Sequence, residues 1–134
     1  MHNERYLTKP HQYALIYSKG RSTVTDLLVM RVLPNSLALS RCGFSVSKRL
    51  GNAVTRNKVK RRLREIWRVM PLKPGWDIVF IARPAAAKAD FSGLRATFEN
   101  LLSQVDLLET EESEPLTIDN SGTGDNRNVT ASEI

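Results

Sequence analysis

The residues of this sequence best suited to chemistry are cations at helical spacing. Between positions 48 and 68 there are nine Lys or Arg side chains against one acid, Glu65. Arg side chains donate two parallel hydrogen bonds to a phosphate group, and like charges three or four residues apart on a helix repel one another when nothing anionic lies between them. The pattern therefore favours binding of a polyanion; the alternative is the solvated basic face of an ordinary surface helix. We call the following set the basic ridge: Arg56, Asn57, Lys60, Arg61, Arg64 and Arg68.

The helix that must position these cations is indicated by apolar residues on its opposite side. Val59, Leu63, Ile66 and Met70 recur at intervals of four, three and four residues, which is the period of an amphipathic helix that faces a core. The preceding Gly51-Asn52 pair predicts a turn and an N-cap, whose free amides would form an additional anion site.

The charge of the chain is distributed unevenly. The 134 residues carry a formal net charge of +6, but residues 106–134 contain eight acids and one base, so residues 1–105 carry 19 bases and six acids, or +13. Such a charge indicates a polyanion partner, with nucleic acid favoured over a membrane. We expect one domain over residues 1–108 and a disordered acidic tail over 109–134. This tail could lie over the basic face or aid solubility, and its composition favours solubility.

No catalytic or metal-binding set is evident. His2 and His11 have no nucleophile in a recognisable pattern with them, and no cluster has metal-ligand spacing. The lone cysteine, Cys42, is interpreted as a small buried hydrophobe in a reducing compartment, which predicts a cytoplasmic protein. The acids of residues 1–105 are scattered through separate predicted elements, so we expect a nucleic-acid-binding module and not a stand-alone enzyme. These six acids are Glu4, Asp26, Glu65, Asp77, Asp90 and Glu99.

A short helix is predicted ahead of the basic region. Thr8 and Pro10 favour a helix start, Tyr13, Ile16 and Tyr17 share one face, and the helix should end at Gly20. The two tyrosines are either core aromatics whose hydroxyl groups reach water or stacking platforms for unpaired bases.

Strand patterns surround the basic region. Residues 23–33 and 38–47 predict an antiparallel hairpin whose second strand turns Cys42, Phe44 and Val46 to one face and Ser45 and Ser47 to the other. That serine face is either solvated or contacts a sugar or phosphate. Residues 76–83 predict a buried strand, and the residue at position 90 is expected to cap a last helix that covers the sheet.

Residues 41–65, RCGFSVSKRLGNAVTRNKVKRRLRE, closely resemble the signature of the bacterial ribonuclease P protein component. The resemblance extends to the aromatic helix, to the Val32-Leu33-Pro34 segment, to the GWDIV and IARP segments within residues 75–84, and to the closing helix. It covers about residues 5–105. Two positions depart from the family pattern, because Tyr13 stands where Phe is frequent and Pro10 where a serine cap is common.

This resemblance implies an α/β (α+β) fold, a single domain with one mixed four-stranded sheet and helices packed on it. It implies a ribosomal-protein-like two-layer sandwich with a left-handed βαβ crossover, although such connections are right-handed in about 98% of proteins. It also implies a subunit of a ribonucleoprotein in which a catalytic RNA holds Mg²⁺ and removes the 5′ leader of precursor tRNA. A structural RNA-binding protein that shares this fold is the alternative.

The resemblance also assigns roles to residues at matching positions. Contacts with the RNA subunit are implied for Arg56, Asn57, Lys60, Arg61 and Arg64, with Lys58, Arg62 and Arg68 as flanking charge. A cleft between the first helix and the sheet is implied to bind the single-stranded leader through Tyr13, Tyr17, Ser45, Ser47 and Lys48.

Overall fold

The computed structural model describes residues 5–109, which form one mixed four-stranded sheet with helices on both faces. The strand order is β1-β2-β4-β3, with β1 and β4 antiparallel to β2 and with β3 parallel to β4. These features confirm the single-domain α/β fold. The elements are α1 (Pro10–Lys19), β1 (Arg21–Val24), β2 (Leu28–Pro34), β3 (Arg41–Ser45), α2 (Ala53–Arg68), β4 (Trp76–Ala82) and α3 (Phe91–Gln104), with 3₁₀ turns at Lys48–Leu50 and Pro84–Lys88.

The predicted antiparallel hairpin between residues 23–33 and 38–47 is wrong. The first run contains its own turn, because Thr25 bonds to Leu28 through both its amide and its hydroxyl group, so β1 folds back on β2. Strand β4 then lies between β2 and β3. Its almost continuous apolar sequence suits the central position, where both faces of a strand are buried. The second predicted strand is also shorter than expected and ends at Ser45.

Helix α2 connects the neighbouring parallel strands β3 and β4. A parallel pair cannot be closed by a tight hairpin, so its connection must cross over the sheet. This β3-α2-β4 connectivity is the one that the resemblance implies. The left-handedness of the crossover stays a prediction. Gly43 pairs with Val79 and Ser45 with Ile81 in the parallel ladder, which places both residues on the same face of the sheet.

Helices α2 and α3 cover one face of the sheet. The stacked rings of Phe80 and Phe98 lie 3.9 Å apart between their centroids and join β4 to α3. Asp90 caps α3 as predicted, since its carboxylate accepts the amide of Gly93 at 2.8 Å. Trp67 is also buried, which the apolar spacing did not predict. The four residues of the predicted apolar stripe are all buried: Val59, Leu63, Ile66 and Met70.

Helix α1 packs on the opposite face through Ile16, which is fully buried against Val79. Pro10 is the first residue of α1, where the missing amide costs nothing because the first amides of a helix have no helical partner. The side chain of Gln12 caps this end, since its oxygen accepts the amides of Thr8 and Lys9 at 2.9 and 3.0 Å. The first turn is therefore formed without a serine cap.

The outer edge of β3 pairs with residues 5–7, a contact that the sequence did not predict. The amide of Leu7 donates to the carbonyl of Cys42, and the amide of Cys42 donates to the carbonyl of Arg5, each at 2.9 Å. This segment covers an edge strand that would otherwise expose unpaired backbone groups. The predicted tail and the boundary drawn at residue 108 depend on residues beyond 109, which lie outside the described part of the chain.

Candidate nucleic-acid interface

The start of α2 is formed as predicted. The side chain of Asn52 accepts the amide of Thr55 at 3.0 Å, which is an N-cap bond. The preceding residue, Gly51, has a φ of 143°, a conformation that L-residues with side chains rarely adopt. The chain therefore turns sharply into α2 and leaves this end of the helix at the surface.

The basic ridge runs along the side of α2 that faces away from the core. Arg61, Arg64 and Arg68 are exposed together with Asn57, while Lys60 is half-buried. Within residues 5–109 the ion pairs join Arg41 to Asp77, Lys73 to Asp106 and Arg95 to Glu99, so none of them neutralises a ridge cation. The ridge is thus a concentrated positive surface that is available to an external anion.

Arg56 lies at the start of the ridge and is half-buried. Its Nε atom is buried without a hydrogen-bond partner. A buried donor on a charged group carries a desolvation cost when it is unpaired, so an anionic acceptor that reached it would recover that cost.

Lys58 and Arg62 lie on the flank of α2 opposite to Lys60 and Arg64. Each residue turns the helix by about 100°, so two residues separate side chains by about 200°. The guanidinium group of Arg62 donates to the carbonyl of Ala89 at 2.9 Å and so ties α2 to the segment before α3. Lys58 is exposed on the same flank. Arg62 thus makes a structural hydrogen bond, in addition to the flanking positive charge that the resemblance implies for it beside the RNA subunit.

Tyr13 lies over β3 and covers Gly43. A β-carbon at position 43 would lie 2.7 Å from Cε1 and Cζ of the Tyr13 ring, so a larger residue has no room there. Burial raises the pKa of the Tyr13 phenol above its usual value, with smaller contributions from Cys42 and Tyr17. A glycine inside a strand often marks such a close approach, and this signal could have identified Gly43 from the sequence.

Tyr17 lies one turn further along α1 and is 42% exposed. Its position is fixed through the backbone by Arg31, a residue that sequence reasoning missed. The guanidinium group of Arg31 donates to the carbonyls of Tyr17 and Gly20 at 2.8 and 2.9 Å and to that of Ile16 at 3.3 Å. Arg31 therefore binds the last carbonyls of α1 and holds the helix against β2.

An open pocket of about 260 Å³ lies at the outer edge of β3, and we call it the edge pocket. The pocket brings together Tyr13, which the resemblance assigns to the leader, and Lys60 and Arg64, which it assigns to the RNA subunit. Tyr6 was missed by sequence reasoning because it precedes the first predicted element. The lining of the edge pocket includes Tyr6, Leu7, Tyr13, Gly43, Lys60 and Arg64.

The remaining predicted residues lie at the end of β3. Ser45 is half-buried on the strand, on the face that carries α1. Ser47 follows the strand, and its hydroxyl group accepts the amide of Arg49 at 3.3 Å as the N-cap of a 3₁₀ turn. Lys48 is exposed in that turn. Neither Ser47 nor Lys48 lines the edge pocket, so the predicted set extends beyond it.

Among residues 5–109, no group of three His, Cys, Asp or Glu residues could hold a metal ion. No helix in the same range has the length and apolar character needed to cross a membrane. Cys42 is fully buried, and burial raises the pKa of its thiol well above the usual value. Its thiolate is therefore disfavoured, as expected for a packing residue.

Comparison with known proteins identifies the family. The family model described as Ribonuclease P matches residues 1–106. The ribonuclease P protein component of Dehalococcoides mccartyi is 45% identical over 107 residues, which cover 79% of this chain and 89% of that protein. The same component of Roseiflexus sp. is 44% identical over 110 residues, covering 80% and 90% of the two chains.

Solved structures agree with these sequence matches. The RNase P protein of Staphylococcus aureus superposes with a TM-score of 0.72 at 31% identity, covering 80% of this chain and all of that one. The RNase P protein of Thermotoga maritima gives a TM-score of 0.65 at 34% identity, with 72% and 94% of the two chains covered. The chain therefore belongs to the family of bacterial ribonuclease P protein components.

Proposed function

We propose that this chain binds the catalytic RNA of ribonuclease P and the 5′ leader of precursor tRNA, and that it thereby promotes removal of the leader. Family membership makes it a component of a tRNA-processing ribonucleoprotein. The observation that carries the finer proposal is the edge pocket, where Tyr13 of the α1 face meets Lys60 and Arg64 of the basic ridge.

The basic ridge supplies the surface for the RNA subunit. Its exposed cations have no ion-pair partner among residues 5–109, and they follow one helix face over several turns. Contacts of this kind with phosphate groups hold an RNA without reading its sequence, and each neutralised phosphate releases a counterion. Binding should therefore weaken steeply as salt increases.

The cleft between α1 and β3 supplies the surface for the leader. Tyr17 offers an exposed ring, and Tyr13 offers a half-buried ring next to two cations. Stacking of bases on aromatic rings tolerates any sequence because every base has an aromatic face. Such a surface suits a leader whose sequence varies among precursors, with Ser45, Ser47 and Lys48 available to its backbone.

We assign the chemical step to the RNA subunit and its Mg²⁺ ions. Hydrolysis of a phosphodiester by a protein usually requires carboxylates gathered around a metal. Asp77, the buried acid of β4, is instead held by Arg41 and Asn35. The role of this chain is then to place two polyanions together, which its positive charge favours by lowering their mutual repulsion. We place this complex in the cytoplasm.

The test is cleavage of a 5′-labelled precursor tRNA at low Mg²⁺ concentration by a bacterial ribonuclease P RNA, with and without this protein, and by the protein alone. We expect the protein to be inert alone and to accelerate cleavage at the mature 5′ end when the RNA is present. No acceleration of a competent RNA would favour a structural RNA-binding protein. Cleavage by the protein alone would overturn the assignment of chemistry to the RNA.

A further inference from the structure

The last described residues run back towards the C-terminal end of α2, which carries Arg68 of the basic ridge. The amide of Lys73 donates to the carbonyl of Leu107, and the amide of Glu109 donates to the carbonyl of Pro71, at 2.9 and 2.8 Å. Leu108 pairs antiparallel with Leu72. Since residues 71–73 lead away from the end of α2, an antiparallel segment over 107–109 leads towards it.

The sequence that follows carries acids at once. Glu111, Glu112 and Glu114 come two to five residues after Glu109, and no base intervenes before Arg127. The end of α2 carries the opposite charge, with Arg61, Arg64 and Arg68 exposed and without ion-pair partners within residues 5–109. The densest acidic cluster of the sequence therefore begins two residues after Glu109, where the described chain runs towards the end of α2 that carries Arg68.

We propose that residues 111–114 bind the C-terminal half of the basic ridge in the free protein and leave it when RNA binds. The acidic segment acts as an intramolecular competitor that occupies the phosphate positions on Arg61, Arg64 and Arg68. This inference rests on the proposed function only for the identity of the displacing ligand, because the contact itself exists without RNA.

The distances permit this contact. An extended chain spans at most about 3.5 Å per residue, so Glu111 lies within about 7 Å of Glu109 and Glu114 within about 18 Å. The seven steps from Arg61 to Arg68 rise by about 10 Å along the helix. Four extended residues, 111–114, cover about the same length, so the segment is long enough to reach all three guanidinium groups.

Two effects oppose the contact, and a third favours it. The negative end of the α2 dipole repels carboxylates near its last turn, and each exposed ion pair is individually weak. The tether, however, holds the acids near the ridge at an effective concentration in the millimolar range. Several weak pairs on a short tether give a contact that ordinary salt weakens and that a longer polyanion displaces.

The first experiment uses the full chain without RNA. We compare the unaltered protein with a proximal variant, Glu111→Gln/Glu112→Gln/Glu114→Gln, and a distal variant, Asp119→Asn/Asp125→Asn/Glu133→Gln, which changes net charge equally. We expect the proximal variant to shift the backbone amide resonances of residues 61–68. Raising the salt concentration of the unaltered protein to about 1 M, where the Debye length falls to about 3 Å, should shift the same resonances. The distal variant should leave those resonances close to their original positions.

The second experiment measures the affinity of the same three proteins for a bacterial ribonuclease P RNA. We expect the proximal variant to bind about tenfold more tightly at about 0.1 M salt, with the difference fading as salt increases, and the distal variant to bind much as the unaltered chain does. Equal gains in both variants would show an effect of net charge and would overturn the proposal.

The two readouts separate the two proposals. If the amide resonances of residues 61–68 are identical in all three proteins, the proposed acidic contact is overturned, whatever the RNA affinities are. Amide shifts in the proximal variant without any change in RNA affinity would confirm the contact and would contradict the assignment of the ridge to RNA. Shifts that grow with protein concentration would place the acidic segment on a second copy and overturn the intramolecular form.

Discussion

The phenol ring of Tyr13 rests on the backbone of Gly43, at a place where a β-carbon would lie 2.7 Å from two ring atoms. The contact joins α1 to the edge strand β3 and forms one wall of the edge pocket. The ring can occupy this position only while residue 43 has no side chain. The shape of the cleft therefore depends on a glycine that has no functional group of its own.

Gly43→Ala should displace the Tyr13 ring and lower the free energy of unfolding by about 1–3 kcal/mol, the usual cost of overpacking. Denaturant unfolding of Gly43→Ala, Tyr13→Ala and the double variant forms a cycle that isolates this contact. Since removal of the ring makes room for the new methyl group, we expect Gly43→Ala to cost less in the Tyr13→Ala background. Additive costs would show that the two residues do not exclude each other.

Arg61→Ala should weaken assembly with the RNA subunit without changing the fold, because Arg61 is exposed and makes no ion pair within residues 5–109. The affinity should be measured at several salt concentrations, where loss of one phosphate contact reduces the salt slope by about 1. Arg95→Ala is the matched control, since it removes an exposed arginine from α3. Equal losses for the two variants would contradict a specific role of the ridge.

Tyr17→Ala should weaken binding of precursor tRNA and leave binding of mature tRNA unchanged. Loss of one stacked base costs about 1–3 kcal/mol, so we expect the dissociation constant for the precursor to rise roughly 5- to 150-fold. Titration of the assembled ribonucleoprotein with both tRNAs measures this difference. Equal loss for the two RNAs would place the leader elsewhere on the protein.

Asp77→Ala should destabilise the fold by about 2–4 kcal/mol, because it leaves Arg41 without its partner at a largely buried position. Arg41 donates to both carboxylate oxygens of Asp77 at 2.8 and 2.7 Å, and this hydrogen bonding raises the pKa of the guanidinium group. Glu99→Ala, which breaks the exposed pair with Arg95, should cost less than about 1 kcal/mol. Similar unfolding free energies for the two variants would contradict this difference.

The thiol of Cys42 should make stability depend on pH above its usual pKa of 9.0, because burial raises that pKa in the folded protein. The folded state keeps the proton while the unfolded state loses it, so stability is full below pH 9 and falls above it. The slope contributed by one such group is about 1.4 kcal/mol per pH unit. Unfolding measured between pH 8 and 10 should show a smaller decline for Cys42→Ala than for the unaltered protein.

The sequence alone determined α2, α3 and β4, together with the surface that α2 presents. The caps at Asn52 and Asp90 are local signals, and each is satisfied by a hydrogen bond to an amide three residues along the chain. The apolar spacing from Val59 to Met70 is also read within one segment, and all four residues of that stripe are buried. The ridge follows from the same spacing, since a helix that buries one face must expose the other. The family could be recognised for the same reason, because its signature lies in one continuous segment.

Only the tertiary structure decided how the strands pair and which residues meet. Local patterns gave β2 and β3 as a hairpin, whereas β4 separates them because its apolar sequence gains most from the central position. The edge pocket likewise joins Tyr6, Tyr13 and Arg64, which are far apart in the chain. Such contacts depend on the pairing of whole elements and on the absence of a β-carbon at Gly43, and neither the period nor the charge of a single segment encodes them.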